Sequence, residues 1–80
     1  MEVTYTDHAV RRMEERNIST VMVHELILHP EGKIKQSRDK WIFYRSFKFR
    51  NDNQIAAVVV ERKGDHWEVI TVMIHFEVAK

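Results

Sequence analysis

The chain of 80 residues is long enough for one folded domain with a modest hydrophobic core. Its hydrophobic fraction of 44% is typical of a globular protein and excludes intrinsic disorder. The absence of cysteine excludes disulfide bonds and cysteine-based zinc sites. The sequence contains no signal peptide and no apolar run of transmembrane length, so we expect a soluble, cytoplasmic protein with no membrane partner.

The net charge of +1 conceals a strongly basic segment in the middle of the chain. Residues 33–50 hold seven lysines and arginines against Asp39 alone, which gives +6, whereas residues 1–32 carry −3 and residues 51–80 carry −2. Concentrated positive charge on a small domain is typical of a protein with an anionic partner such as RNA. Lysines also keep an exposed sheet edge soluble, and the sequence favours neither interpretation. The candidates for nucleic-acid binding are Lys33, Lys35, Arg38, Lys40, Lys48 and Arg50.

The N-terminal part of the chain predicts a helix after a short extended segment. Residues 1–5 form either a leading strand or an extended arm. Thr6-Asp7 offers an N-cap, because short polar side chains accept hydrogen bonds from the first turn of a helix, and a helix follows over about residues 8–16. Asn17 is suited to a left-handed C-cap, where this helix ends.

A second helix is predicted directly after the first. Ser19 is its expected N-cap, and the helical periodicity continues to about Leu28. Pro30 and Gly32 end it, because proline lacks a backbone N–H and cannot continue a helix, and glycine favours a turn. Two short, consecutive helices are therefore expected in the first part of the domain.

Beyond the second helix, the periodicity becomes alternating, which indicates a series of strands. A weak strand over residues 33–38 and a longer one over residues 40–49 form a predicted hairpin. Residues 55–60 are six consecutive apolar residues, which is typical of a strand buried on both faces. A turn at residues 63–65 leads into the last strand, predicted over residues 66–78.

These elements predict a single α+β domain over residues 1–80, in which two N-terminal helices pack on one face of a four-stranded antiparallel sheet. Strict alternation along the last strand would turn one set of residues toward the helices, namely Ile70, Val72, Ile74 and Phe76. The other set would lie on the helix-free face, namely Val69, Thr71, Met73 and His75.

The first helix carries the residues most suggestive of chemistry. His8, Arg12 and Arg16 are four residues apart and form a stripe along one side of the helix. A histidine beside arginines can act as a general acid or base, while the guanidinium groups bind phosphate. The spacing alone favours a structural role, in which the arginines pair with Glu14 or Glu15.

Two further pairs of residues could contribute to a site. Tyr44 and Arg45 lie in the basic hairpin, where a tyrosine can stack on a base or donate a hydrogen bond to phosphate. Thr71 and His75 share one face of the last strand. Taken singly, each of these residues also suits a rim or surface position. The histidine spacings match no metal site and the chain has no glycine-rich phosphate loop, so we expect no metal and no cofactor.

Two stretches resemble a family of small bacterial and archaeal domains of unknown function. Residues 7–19, DHAVRRMEERNIS, resemble the opening H-A-x-x-R-M-x-x-R-x-I-[ST] of that family. Residues 69–72, VITV, resemble its last strand. The family is similar in layout to the RelE/BrnT-type toxins, within the barnase–EndoU–colicin–RelE type of ribonuclease fold. The resemblance spans nearly the whole chain.

What this resemblance implies is a hydrolase of toxin–antitoxin type, which would cleave RNA without a metal by attack of the ribose 2′-hydroxyl on the adjacent phosphate. A small antitoxin protein would mask its site. The motif carries over four catalytic candidates, namely His8, Arg12, Arg16 and Thr71. Position and chemistry add Tyr44, Arg45 and His75. Two alternatives stay open: a noncatalytic RNA- or protein-binding module on the same fold, and a small structural homodimer.

Overall fold

A computed structural model describes residues 2–47 and 55–76 as two helices and five strands. The strands form one sheet in the order β1-β5-β4-β3-β2, in which β1 runs parallel to β5 and the other neighbours are antiparallel. The predicted α+β class is therefore confirmed. In chain order the elements are β1 (Glu2–Tyr5), α1 (Asp7–Arg16), α2 (Thr20–Leu28), β2 (Gly32–Lys35), β3 (Lys40–Ser46), β4 (Ile55–Lys63) and β5 (His66–Ile74).

The prediction of a four-stranded, wholly antiparallel sheet was wrong. The segment predicted as either a strand or an arm is a fifth strand, β1, and it pairs in parallel with β5 from Glu2 opposite His66 to Tyr5 opposite Val69. Four residues carry too weak a pattern to identify a strand by themselves, and the partner lies at the far end of the chain. The pairing therefore depends on the closed tertiary structure.

Local capping chemistry confirms the predicted ends of the helices. Thr6 is the N-cap of α1 and accepts a hydrogen bond from the Ala9 N–H, and Asn17 ends that helix in the left-handed conformation with φ 57°. Ser19 caps α2 by accepting a hydrogen bond from the Met22 N–H at 3.2 Å. These contacts lie three residues apart or closer, which is why sequence could predict them.

The core lies between the helices and one face of the sheet. Helix α1 packs against β5, and α2 packs against β3 and β4. The residues predicted to form a strand buried on both faces lie in β4, where Ala56, Ala57, Val58 and Val60 are fully buried. The largest of the side chains that are less than 2% exposed are Leu26, Val23, Val58, Val60, Val69 and Val72.

A β-bulge at Ile70 breaks the alternation that was predicted for the last strand. Val59 of β4 pairs with Thr71, whereas the next residue, Val60, pairs with Val69, so Ile70 has no partner across the ladder. Val69 therefore faces the helices and is fully buried, against the prediction. Thr71 keeps its predicted place on the helix-free face.

Two hydrogen bonds join the bulge to the N-cap of α1. The Thr6 N–H donates to the Val69 carbonyl at 3.1 Å, and the Thr6 hydroxyl donates to the Ile70 carbonyl at 3.0 Å. The extra residue turns its carbonyl toward Thr6, so the cap and the bulge hold each other in place. Sequence could not reveal this because the two segments lie 64 positions apart.

The hairpin strands differ in length from the prediction. The first, expected over residues 33–38, is Gly32–Lys35 because the N–H groups of Gln36 and Ser37 both donate to the Lys40 carbonyl and begin the turn. The second ends at Ser46, and residues 48–49 of its predicted range lie outside the described residues. The last ends at Ile74, and residues 77–78 of its range also lie outside them.

Candidate nucleic-acid interface

The β2–β3 hairpin presents four cationic side chains at one edge of the sheet. Lys33 and Lys35 pair with Phe43 and Trp41, so both lysines lie on the helix side of the sheet. Arg38 lies in the turn, and Lys40 lies on the helix-free face opposite Glu61. Strand β2 is an edge of the described sheet, and Lys33, Lys35 and Arg38 are exposed, whereas Lys40 on β3 is half-buried. Lys48 and Arg50, the other predicted nucleic-acid contacts, lie outside the described residues.

The positive charge of this hairpin is not neutralised by contact. Within the described part of the chain, none of Lys33, Lys35, Arg38 and Lys40 has a carboxylate oxygen within 4.0 Å. The Lys35 ammonium instead lies 5.5 Å from the centre of the Trp41 ring, within range of a cation–π contact. Lys33, Lys35 and Arg38 are therefore available to an anionic partner, whereas Lys40 also attracts Glu61, whose pKa is lowered chiefly by Lys63 and in part by Lys40.

The β4–β5 hairpin ends beside the β2–β3 turn. The Arg62 N–H donates a hydrogen bond of 2.7 Å to the Asp39 carbonyl, which joins the two hairpins at the same end of the sheet. Arg62 is exposed and pairs across the ladder with Trp67. A shallow groove of about 260 Å³ runs along this hairpin, lined by Arg62, Gly64, Asp65, His66 and Trp67. Arg62 and Trp67 thus adjoin the basic hairpin.

Arg62 and Trp67 were not among the predicted site residues, although the sequence carries a signal that places them together. Gly64 has φ 64°, and with Asp65 it forms a two-residue turn. A two-residue turn sets the register of the strands that it joins, so Arg62 must face Trp67, and Lys63 must face His66. The predicted turn at residues 63–65, treated as a two-residue hairpin turn, would therefore have placed Arg62 opposite Trp67 and Lys63 opposite His66.

An ionic cluster lies on the helix-free face at the same end of the sheet. Glu61 and Glu68 are directly opposite each other on β4 and β5, and Lys63 lies 2.9 Å from the first carboxylate and 3.9 Å from the second. The hydrogen bond from Lys63 lowers the pKa of Glu61, and the same contact raises the pKa of Lys63. Lys63 therefore balances two carboxylates that would otherwise repel each other.

The predicted catalytic residues of α1 lie on the helix side of the sheet. His8 is exposed in the first turn, and Arg12 donates a hydrogen bond of 3.0 Å to Glu15, the contact that a structural role predicts. The Nε atom of Arg16 is buried and has no hydrogen-bond partner among the residues that the structure describes. All three residues belong to α1.

Arg45 also lies on the helix side of the sheet, although it belongs to β3 and is far from the α1 stripe in the sequence. Its Nη1 atom donates a hydrogen bond of 2.6 Å to the carbonyl of His29, the C-cap of α2. A neighbouring contact joins Glu31 to the Ser46 N–H at 2.5 Å. Arg45 therefore fastens the end of α2 to β3, whatever further role it has.

The remaining catalytic candidates are Tyr44, Thr71 and His75. Tyr44 and Thr71 lie on the helix-free face, on β3 and β5 with β4 between them. His75 is exposed just beyond β5 and has φ 55°. The Tyr44 ring lies over Gly32, where an added Cβ would collide with it, and 5.8 Å from the Phe76 ring. The sheet separates Tyr44 and Thr71 from the α1 stripe, and the catalytic roles of all seven residues stay predictions.

Residues 2–47 and 55–76 hold no group of three or more His, Asp or Glu side chains placed to bind a metal ion. No helix in those ranges has the length and apolar character needed to cross a membrane.

A known family covers most of this chain. The sequence model of a domain of unknown function, DUF4258, matches residues 5–74. The chain belongs to the DUF4258 family. The expected membership of a family of small, uncharacterised domains is thus confirmed, and the DUF4258 match includes both helices, the basic hairpin and the ionic cluster. No curated protein and no solved structure matches the chain.

Proposed function

We propose that this DUF4258 domain binds RNA through its β2–β3 hairpin. One observation carries the proposal: Lys33, Lys35, Arg38 and Lys40 lie on one hairpin, and in the described ranges no carboxylate lies within ion-pair distance of any of them. Unpaired cations bind a phosphate backbone by displacing its condensed counterions.

The salt dependence of RNA affinity tests this proposal. Fluorescence anisotropy with a labelled single-stranded RNA of about 12 nucleotides gives the dissociation constant at several salt concentrations. Lys33→Ala should weaken binding and make the slope of log affinity against log salt shallower by about 0.7, the contribution of one phosphate contact. Arg11→Ala, which removes an exposed cation from α1, is the matched control and should leave the slope unchanged. Equal slopes for both variants, or no binding at low salt, would exclude the hairpin as an RNA contact.

A metal-independent ribonuclease of RelE-like, toxin–antitoxin type is the second candidate function. The observation that favours it is the placement of Glu61, Glu68 and His66 on the helix-free face, near Lys40 of the hairpin. Cleavage by the 2′-hydroxyl needs a base for the attacking oxygen and an acid for the leaving oxygen, and cations that stabilise the charge on phosphate. A small antitoxin that covered this end of the sheet would inhibit both binding and cleavage.

The ribonuclease candidate has two alternative sets of residues, and one experiment distinguishes them. Purified protein is incubated with total RNA in EDTA, beside the variants His8→Ala and Glu68→Gln. If the α1 stripe acts in catalysis, EDTA-resistant fragments should disappear only in His8→Ala. If the ionic cluster acts, they should disappear only in Glu68→Gln. Intact RNA with the unmodified protein would exclude cleavage of free RNA and leave RNA binding as the function.

A further inference from the structure

We propose that the ligand of this surface is single-stranded RNA, whose bases stack on Trp41 and Trp67 while Lys35 and Arg62 contact the adjoining phosphates. The proposal rests on the RNA binding proposed above and adds three features to it. It identifies the strand state of the ligand, assigns a function to the two indoles, and extends the interface from the β2–β3 hairpin to the β4–β5 hairpin.

The two indoles lie close together on the helix side of the sheet. The Trp41 ring centre is 6.3 Å from that of Phe43, and the Phe43 ring centre is 5.6 Å from that of Trp67. Because Phe43 is shared, these two distances place the indoles less than 12 Å apart. Phe43 is buried between them in the core, whereas both tryptophans pack against that core and are only half-buried, so part of each indole is accessible to solvent. Two rings at this separation suit neighbouring or next-neighbouring bases of one strand.

A cation accompanies each indole. The Lys35 ammonium lies 5.5 Å from the Trp41 ring centre, and Arg62 is the cross-strand partner of Trp67. Arg62 is exposed and has no ion-pair partner in the described residues. The hydrogen bond from the Arg62 N–H to the Asp39 carbonyl joins the two hairpins. It therefore helps to fix the position of the Lys35–Trp41 pair relative to the Arg62–Trp67 pair. Alternating aromatic and cationic groups are the common chemistry of surfaces that bind single-stranded nucleic acids.

Duplex RNA lacks the feature that this surface would bind. In a helix, each base is covered on both faces by its neighbours, about 3.4 Å away along the strand, so no face is free to lie on an indole. A single strand can turn out its bases and place them on aromatic side chains. Charge alone would bind both forms, whereas stacking on Trp41 and Trp67 requires the single strand.

Three ligands of equal length test the proposal: a single-stranded RNA, an RNA duplex, and an abasic phosphodiester strand that has the charges but no bases. Dissociation constants are measured by anisotropy, and the intrinsic fluorescence of the protein is recorded in parallel. The chain contains two tryptophans and both lie on this surface, so quenching of their emission reports stacking here and nowhere else. The single strand should bind at least about tenfold more tightly than the abasic strand and should alone quench the emission strongly.

Variants separate stacking from charge. Trp67→Leu keeps an apolar side chain against Phe43 and should reduce the affinity for the single strand about tenfold without affecting the abasic strand. Trp67→Phe retains a ring and should lose less, which keeps the test valid if the leucine variant is unstable. Arg62→Gln should weaken binding of both strands equally and make the salt slope shallower.

The possible failures are distinguishable. Equal affinity for the single strand and the abasic strand, or tighter binding of the duplex without quenching, would overturn the stacking proposal and leave RNA binding by the cations standing. The absence of binding to all three ligands at low salt would overturn the proposed function together with this inference.

Discussion

At the scale of single residues, Thr6 joins two distant parts of the molecule through one hydroxyl group. That hydroxyl accepts from the Ala9 N–H in the first turn of α1 and donates to the Ile70 carbonyl in the β5 bulge. The bulge in turn places Val69 in the core. A residue that looks like an ordinary helix cap in the sequence therefore also secures the course of the last strand.

Thr6→Val should destabilise the domain by about 1–3 kcal/mol, because it removes the helix cap and leaves the bulge carbonyl without its donor. Thr6→Ser retains the hydroxyl and is the matched control. Urea unfolding, followed by circular dichroism, measures the difference. Equal free energies of unfolding for the valine and serine variants would show that the hydroxyl does not contribute to stability.

Gly32 is required by its neighbour across the hairpin. A Cβ at this position would overlap the ring of Tyr44, so Gly32→Ala should displace the ring and cost about 1–3 kcal/mol. The double variant Gly32→Ala/Tyr44→Ala removes the ring and should recover the part of that cost that comes from the collision. A thermodynamic cycle of the four proteins measures the coupling. Additive effects in the cycle would refute the collision as the cause.

At the scale of elements, the β4–β5 hairpin is stabilised by an ion cluster whose effect depends on pH. The pKa of Glu61 is lowered by Lys63, so this contribution to stability is present above the unfolded-state pKa and is lost as the pH falls through the lower folded-state value. The pKa of Lys63 is raised, so its contribution is present below the unfolded-state pKa and is lost as the pH rises through the folded-state value. The pair therefore stabilises the hairpin between these two limits.

Lys63→Met should destabilise the domain at neutral pH, because it leaves Glu61 and Glu68 opposite each other without a cation between them. The difference from the unmodified protein should disappear on acidification below the lowered folded-state pKa of Glu61, where its carboxyl is protonated and no longer attracts Lys63. Thermal unfolding across this pH range measures it, with Arg62→Met as the control on the other face of the strand. A difference that persists at acid pH would show that the effect comes from packing.

At the scale of the whole molecule, β1 completes the sheet by covering the outer edge of β5. Val3 packs against the core from this edge strand, and the ladder continues from β1 into the hydrogen bond between the Thr6 N–H and Val69. Without β1, the strand on which α1 packs would expose its backbone N–H and C=O groups, the usual cause of association between sheet edges.

Val3→Asp should lower the stability of the domain by about 1–3 kcal/mol and increase its tendency to aggregate, because the charge would lie against the core beside Trp67. Glu2→Asp, on the exposed neighbouring residue, should have no effect. Urea unfolding and light scattering measure the two consequences. A variant that stays monomeric and fully stable would contradict a protective role for β1.

The parts of the fold that were predicted correctly depend on residues that are close together in the sequence. The caps Thr6, Asn17 and Ser19 act on residues a few positions away, and the apolar run in β4 indicates burial by composition alone. The hairpin cations were likewise visible, because a turn keeps consecutive residues near one another. For the same reason, the amino-acid sequence was sufficient to predict the hairpin as a candidate RNA contact.

The positions of the remaining candidate residues relative to one another could not be predicted from the sequence, because these residues lie on elements far apart in the chain. The α1 stripe and the pair Tyr44 and Thr71 lie on opposite sides of the sheet, a separation that depends on which face of β3 and β5 the helices cover. Residue type and spacing were sufficient to propose chemistry for each residue. Alternation along the last strand predicted the helix-free face for Thr71, but the sequence was insufficient to show which residues of other elements share that surface.

The amino-acid sequence by itself determined two helices with their caps, a buried central strand and a basic hairpin, because each depends on contacts between near neighbours. Only the tertiary structure decided the parallel pairing of β1, the bulge at Ile70 and the approach of the β4–β5 hairpin to the β2–β3 turn. These features follow from hydrogen bonds between segments far apart in the chain, whose partners become available only when the sheet closes. The tertiary structure likewise decided that Trp41 and Trp67 lie on one surface, because they come together only when β3 and β5 join the same sheet.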